Sequence, residues 1–148
     1  MTIGELARAV STRGEQAELS GDGRVGFSSV STDSRTLSGG ALFVALSGER
    51  FDGHDYVVRA RENGAVGALV ERRVEVDVPQ LIVTDSKRAF GIAAGTWRSR
   101  FSLPVIAVAG SNGKTTVTQL VAAILGAAYG ERNRLATRGN LNNDIGVP

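Results

Sequence analysis

The residues best equipped for chemistry lie between positions 104 and 126, in the stretch PVIAVAGSNGKTTVTQLVAAILG. Val105, Ile106, Ala107 and Val108 form a short apolar run of strand type. Gly110, Ser111, Asn112 and Gly113 make a tight polar turn, and Lys114, Thr115 and Thr116 open a helix. Val117, Leu120, Val121, Ile124, Leu125 and Ala128 then recur as one helical face. A strand, a glycine turn and a helix start together make a cradle for phosphate. The first amides of a helix have no partner inside it, and the macrodipole concentrates partial positive charge there. Glycine permits positive φ and lets a ligand come close. Lys114 adds a mobile charge for outer phosphates, and the Thr115 hydroxyl is placed to ligate Mg2+. The full phosphate-loop pattern requires a glycine five residues before Gly113, where Val108 stands instead. An ordinary strand-to-helix turn with a solvated Lys114 fits the same residues, but Lys-Thr directly after the second glycine favours phosphate.

Other polar groups are less telling. Thr32, Asp33, Ser34 and Arg35 cluster hydrogen-bonding side chains, which by themselves describe a solvated turn. His54 is the only histidine, at an expected helix start, where capping or packing is the ordinary role. With no second histidine and no cysteine, a histidine-based metal site is not expected. Arg72 and Arg73 read as a solvated edge. Asn140, Asn142, Asn143 and Asp144 read as a loop of Asx turns.

The elements that must position these groups alternate between strand and helix. Thr2 and Glu5 fit a capping box ahead of a short helix whose inner face is Ile3, Leu6, Ala7 and Val10. Residues 11–23 read as loop, residues 25–30 as a strand and residues 41–46 as a buried strand. A loop over residues 48–54 leads into a helix over 55–63 that stops at Gly64. Strands are expected at 66–70 and 81–84. Asp85 then caps a helix whose Phe90, Ala93, Ala94, Trp97 and Phe101 share a face, with Arg98 and Arg100 suiting its C-terminal dipole. Pro104 breaks the chain before the phosphate loop, and residues 133–137 are expected as a short strand.

Composition bounds the rest. A chain of 148 residues suffices for one domain or two small ones. Without cysteine, disulfides and thiolate metal sites are impossible. A net charge of +2 and few aromatics argue against a nucleic-acid partner. No signal pattern opens the chain, and no apolar run approaches the ~20 residues that span a bilayer, so a soluble, cytoplasmic protein without membrane insertion is expected. The 19 glycines fall between periodic segments and so mark turns rather than low complexity.

Taken together, these motifs resemble the Mur ligase family. The segment from Gly110 to Thr116 resembles that family's ATP loop, which also replaces the first glycine, as Val108 does here. Thr32-Asp33-Ser34-Arg35, the run from Leu42 to Leu46 and the segment from Gly48 to His54 are similar to its uridine-nucleotide domain. The closing segment, 139–148, is similar to the branch that adds D-alanyl-D-alanine. The resemblance covers nearly the whole chain.

The resemblance implies an α/β protein with a small N-terminal uridine-nucleotide-binding domain, residues 1–84. A connecting helix and linker, 85–103, and the beginning of a P-loop α/β ATPase domain, 104–148, would follow. One βα unit cannot bury both faces of a parallel sheet, so the sequence is expected to be a fragment. The implied activity is ATP-dependent ligation in peptidoglycan synthesis, with ATP and Mg2+ as cofactors. UDP-N-acetylmuramoyl-tripeptide and D-alanyl-D-alanine would be the substrates of a monomeric enzyme. Gly110, Ser111, Asn112, Gly113, Lys114, Thr115 and Thr116 would hold the phosphates, with Lys114 catalytic on the outer ones and Thr115 on Mg2+. Ser34 and the backbone of Gly48, Glu49, Arg50 and Phe51 would face the uracil nucleotide, and Asn140, Asn142 and Asn143 the muramoyl end. The alternatives are another Mur or folylpolyglutamate-type ligase, a non-catalytic uridine-nucleotide module, and a generic P-loop kinase, against which Val108 counts.

Overall fold

The structure is a computed structural model that describes residues 1–48 and 51–137. It divides into two compact units, Met1–Phe101 and Ser102–Pro148.

The first unit is a mixed α/β layer built on one sheet. Helix α1 (Ile3–Thr12) starts at a capping box: the Thr2 hydroxyl accepts from Glu5 N, and the Glu5 carboxylate accepts from Thr2 N. Strands β1 (Ala17–Ser20), β2 (Ser29–Ser31) and β3 (Ala41–Val44) follow. A two-stranded hairpin, β4 (Ser47–Gly48) and β5 (Phe51–Asp52), runs into a 3-10 turn at Gly53–Tyr56 and helix α2 (Val57–Glu62). Strands β6 (Ala65–Val70) and β7 (Gln80–Val83) and helix α3 (Ser86–Arg98) complete the unit.

The sheet order is β1-β7-β6-β3-β2, with β2, β3, β6 and β7 parallel and β1 antiparallel at one edge. Both faces are covered, and strand alternation sorts the side chains. Phe43, Ala45, Ala68 and Val70 cluster with Val57 and Ala60 of α2. Their sheet neighbours Leu42, Gly67, Leu69 and Leu81 therefore point to the opposite side. There Gly67 lies under Ile3 of α1, so close that a Cβ would meet the Ile3 side chain at 2.3 Å. Because the strands are parallel, their C-terminal ends fall along one edge of the sheet, where open α/β sheets hold ligands.

Several boundaries differ from the sequence reading. Residues 17–20, expected as loop, pair with β7 as an antiparallel edge strand; four residues carry too little periodicity to be read alone. The strand expected at 25–30 is only Ser29–Ser31, and the loop expected at 48–54 contains a hairpin and a 3-10 turn. The buried face of α3 is Ser86, Ala89, Ile92 and Ala93, rotated from the expected one. Trp97 and Phe101 are half exposed and stack edge to face with centroids 5.6 Å apart, while the Arg100 guanidinium lies over the indole. Helix α3 packs on α1 and lies in the first unit.

The second unit has helix α4 (Lys114–Tyr129) and a 3-10 turn, Glu131–Asn133. No strand forms at 105–108 or 133–137. A strand needs at least one neighbour to pair with, and among the described residues of this unit none is offered. Val105 and Ile106, as well as Val117, Leu120 and Ile124 of the apolar face of α4, are exposed. Gly130 ends the helix at φ 89.

Gly53 marks the tightest backbone approach around the hairpin. A Cβ there would lie 2.6 Å from Leu46 O and 2.7 Å from Leu46 N, whereas nothing lies within 4 Å of one built on Gly39. Gly53→Ala is expected to cost about 1–3 kcal/mol in urea unfolding, as other overpacked sites do, and Gly39→Ala much less. Equal effects would contradict the close approach.

Candidate functional site

The turn before α4 has the geometry of an anion cradle. Gly113 is the N-cap residue at φ 76, left-handed backbone that glycine adopts without strain, and Gly110 sits at φ 154. A glycine N-cap offers no side-chain acceptor, and α4 has no side-chain cap. The amides of its first turn are therefore left to water or to a ligand. Space around Gly113 is open, with nothing within 4 Å of a Cβ position. The Lys114 ammonium folds back over the turn and donates to Gly110 O at 2.5 Å and Ser111 O at 3.3 Å. With three protons it can keep both carbonyls and still donate to a phosphate oxygen. Ser111, Asn112, Thr115 and Thr116 are exposed.

These residues fit a polyphosphate, and Thr115 can give one hydroxyl ligand to Mg2+. The remaining ligands would be nucleotide oxygens and water, the usual case for this ion. Among the described residues no group of three His, Cys, Asp or Glu could hold a metal by itself.

The nucleotide residues expected in the first unit follow two adjacent parallel strands. Residues 32–35 leave the C-terminal end of β2, and the β4–β5 hairpin leaves that of β3. Topology thus brings both segments to one edge of the sheet. Ser34 is buried, and its carbonyl accepts from Asn63 Nδ2 at 2.7 Å. Gly48 and Phe51 pair across the hairpin; Phe51 is 57% exposed, with its ring against Gly48. Glu49, Arg50, Asn140, Asn142 and Asn143 lie outside the described residues.

The turn after β2 faces solvent and is tied by local hydrogen bonds. The Arg35 guanidinium grips the Asp33 carboxylate with two bonds, at 2.9 and 2.7 Å, and Arg35 N donates to the same group at 2.9 Å. Ser31 Oγ accepts from Asp33 N at 3.1 Å. The guanidinium, and after it the backbone amide, lower the Asp33 pKa from 3.8 to about 2.

Sequence reasoning missed a second polar cluster on this edge. The Asp52 carboxylate accepts from His54 N at 2.9 Å and from Arg72 at 2.8 Å, and it contacts His54 Nδ1 at 2.5 Å. The amide and ring of His54, then Arg72, hold its pKa well below the usual carboxylate range. Glu71 and Glu15 each cap backbone at the start of α3: Glu71 accepts from Ser86 N and Oγ, and the buried Glu15 from Thr84 N and Asp85 N. The available signal was Asp-Gly-His, where an Asx acceptor precedes a glycine and the sole histidine.

Comparison with known proteins shows the family. Residues 26–98 match the family described as Mur ligase family, catalytic domain, and residues 108–148 match the Mur ligase middle domain. The chain belongs to the Mur ligase family. It is 51% identical over 119 residues to the UDP-N-acetylmuramoyl-tripeptide–D-alanyl-D-alanine ligase of Escherichia coli K12, covering 80% of this chain and 26% of that protein. A crystal structure of MurF from Acinetobacter baumannii superposes with a TM-score of 0.82 at 36% identity, over 99% of this chain and 31% of that one. MurF ligase from Thermotoga maritima, solved in complex with ADP, superposes with a TM-score of 0.68 at 32% identity, over 83% of this chain and 28% of that one. The chain thus spans between a quarter and a third of the length of these relatives. Among the described residues, no helix is long and apolar enough to cross a membrane.

Because folding lowers the pKa of Asp33, its ion pair stabilises the fold fully above pH 3.8 and loses that contribution as pH falls toward about 2. Carbon-detected NMR should give Asp33 a midpoint near 2. In Arg35→Ala the midpoint should rise toward 3.8 without reaching it, since the amide of residue 35 remains. An unchanged midpoint in that variant would contradict the assignment.

Proposed function

We propose that this chain carries the uridine-nucleotide and ATP-phosphate sites of an ATP-dependent ligase of peptidoglycan precursor synthesis. That ligase joins D-alanyl-D-alanine to UDP-N-acetylmuramoyl-tripeptide. The observation that carries the reading is the uncapped start of α4, with Lys114 over its mouth, in a chain half identical to a ligase of that name. The ADP held by the Thermotoga relative supports the choice of nucleotide.

In this reading the first unit, Met1–Phe101, carries the uridine side, and Ser102–Pro148 the ATP side. The γ-phosphoryl group of ATP passes to the terminal carboxylate of the tripeptide, giving an acyl phosphate. The amine of the dipeptide attacks the acyl carbon, and phosphate leaves. Two anions must therefore be held together while negative charge moves between them. Amides of the 110–116 turn take up the phosphate oxygens, and Lys114 neutralises the outermost. The Thr115 hydroxyl would hold Mg2+, which would supply further neutralisation of phosphate charge. Ser34 and the Gly48–Phe51 backbone receive the uracil nucleotide, and Asn140, Asn142 and Asn143 the muramoyl end. Such an enzyme would work in the cytoplasm, as a monomer.

Calorimetric titration of the 148-residue chain with UDP and with Mg-ATP, separately, tests the two halves of the reading. Both ligands are expected to bind; ATP binding alone would remove the uridine assignment. Lys114→Ala should weaken ATP by about tenfold or more, the size of one charge-assisted hydrogen bond, with an unchanged circular dichroism spectrum. Unchanged ATP affinity in that folded variant would remove the phosphate assignment. The 148 residues span about a quarter of the Escherichia coli relative. By themselves, with ATP, tripeptide nucleotide and dipeptide, they are expected to release no phosphate, and clear turnover would contradict this.

A further inference from the structure

The β4–β5 hairpin cannot hold its own position. Its ladder is two residue pairs, Ser47 with Asp52 and Gly48 with Phe51, and even longer isolated hairpins are marginal in water. What fixes it lies at its base. Asp52 Oδ1 accepts from Ser47 Oγ on the opposite arm at 3.3 Å and from His54 N at 2.9 Å, while Oδ2 faces Arg72 at 2.8 Å. Gly53 N donates to Leu46 O at 2.9 Å, where no side chain would fit.

The histidine ring joins this base to the end of β6. His54 is 3% exposed, and both ring nitrogens are engaged. Glu71 N donates to Nε2 at 2.8 Å. A backbone amide can only donate, so Nε2 is the acceptor and the ring proton sits on Nδ1, directed at Asp52 Oδ1 at 2.5 Å. One tautomer thus ties the hairpin to the central strand of the sheet. Capping the 3-10 turn would need only the bond from His54 N. The ring and Arg72 add two more constraints on the same carboxylate, one residue from the Gly48–Phe51 pair.

We propose that Asp52, His54 and Arg72 are positioning residues for the uridine nucleotide: they set its affinity by holding the hairpin, without touching it. This rests on the reading that the Gly48–Phe51 backbone faces that nucleotide. Burial already fixes the His54 ring against the sheet, so the bond from Nδ1 to Asp52 is the one that carries this hold to the hairpin and to affinity, whereas the bond at Nε2 adds stability.

Two substitutions separate these bonds. In His54→Asn the side-chain amide overlays Nδ1 and still donates to Asp52, but Glu71 N loses its acceptor. In His54→Gln the amide oxygen overlays Nε2 and still accepts from Glu71 N, but the bond to Asp52 is lost. Both should lower the melting temperature. UDP titrated calorimetrically against the 148-residue chain should bind His54→Asn within about threefold of the parent and His54→Gln about tenfold more weakly, with Mg-ATP affinity unchanged in both. Asp52→Asn, which keeps the shape and removes the charge, should also bind UDP about tenfold more weakly and serves if His54→Gln does not fold. Equal losses in the two histidine variants, or parent-like UDP affinity in folded His54→Gln or Asp52→Asn, would overturn the inference while leaving the nucleotide reading intact. Failure of the parent chain to bind UDP would overturn both.

Discussion

Amides at the start of a helix must find acceptors, and the helices of this chain solve the problem in two ways. Helix α1 receives the Thr2 hydroxyl, α3 receives Asp85, and the 3-10 turn that leads into α2 receives Asp52. Helix α4 begins at a left-handed glycine with nothing to offer. Its first turn is exposed, receives no side-chain acceptor, and has a lysine curled over it. The difference is chemical rather than architectural: α1, α3 and the turn before α2 are each given a side-chain oxygen, and α4 leaves its first amides to water or to a ligand.

The first unit meets a related constraint at the edge of its sheet. Parallel strands deliver every C-terminal end to the same side, so the segments after β2, β3, β6 and β7 share one rim. Carboxylates order that rim. Asp33 fixes the turn after β2, Asp52 the hairpin, and Glu71 and Glu15 the entry into α3. Each accepts from backbone amides as well as from any cation nearby, so the rim holds its shape through directional bonds rather than through exposed ion pairs, which contribute little.

Much of this was legible in the residues. The capping box at Thr2 and Glu5, the buried run of β3, the stop at Gly64 and the Asp85 cap all depend on local chemistry, which the sequence displays. The glycine turn before Lys114 was legible for the same reason. What stayed hidden depends on distant partners. Strand β1 exists because β7 lies beside it, and the inner face of α3 is chosen by α1 rather than by its own aromatics. The run 105–108 has strand composition but no ladder among the described residues, since composition sets preference and neighbours set pairing. His54 was read as a capping or packing residue. It is buried at the start of the 3-10 turn, and its ring also bridges the hairpin to a strand end seventeen residues away, a contact no local pattern records.

A crystal structure of the chain with Mg-ADP tests the phosphate cradle most directly. The β-phosphate oxygens are expected within hydrogen-bonding distance of the amides of Gly113, Lys114 and Thr115 and of the Lys114 ammonium. A nucleotide whose phosphates settle elsewhere, with that ammonium still engaged only by the carbonyls of Gly110 and Ser111, would contradict it.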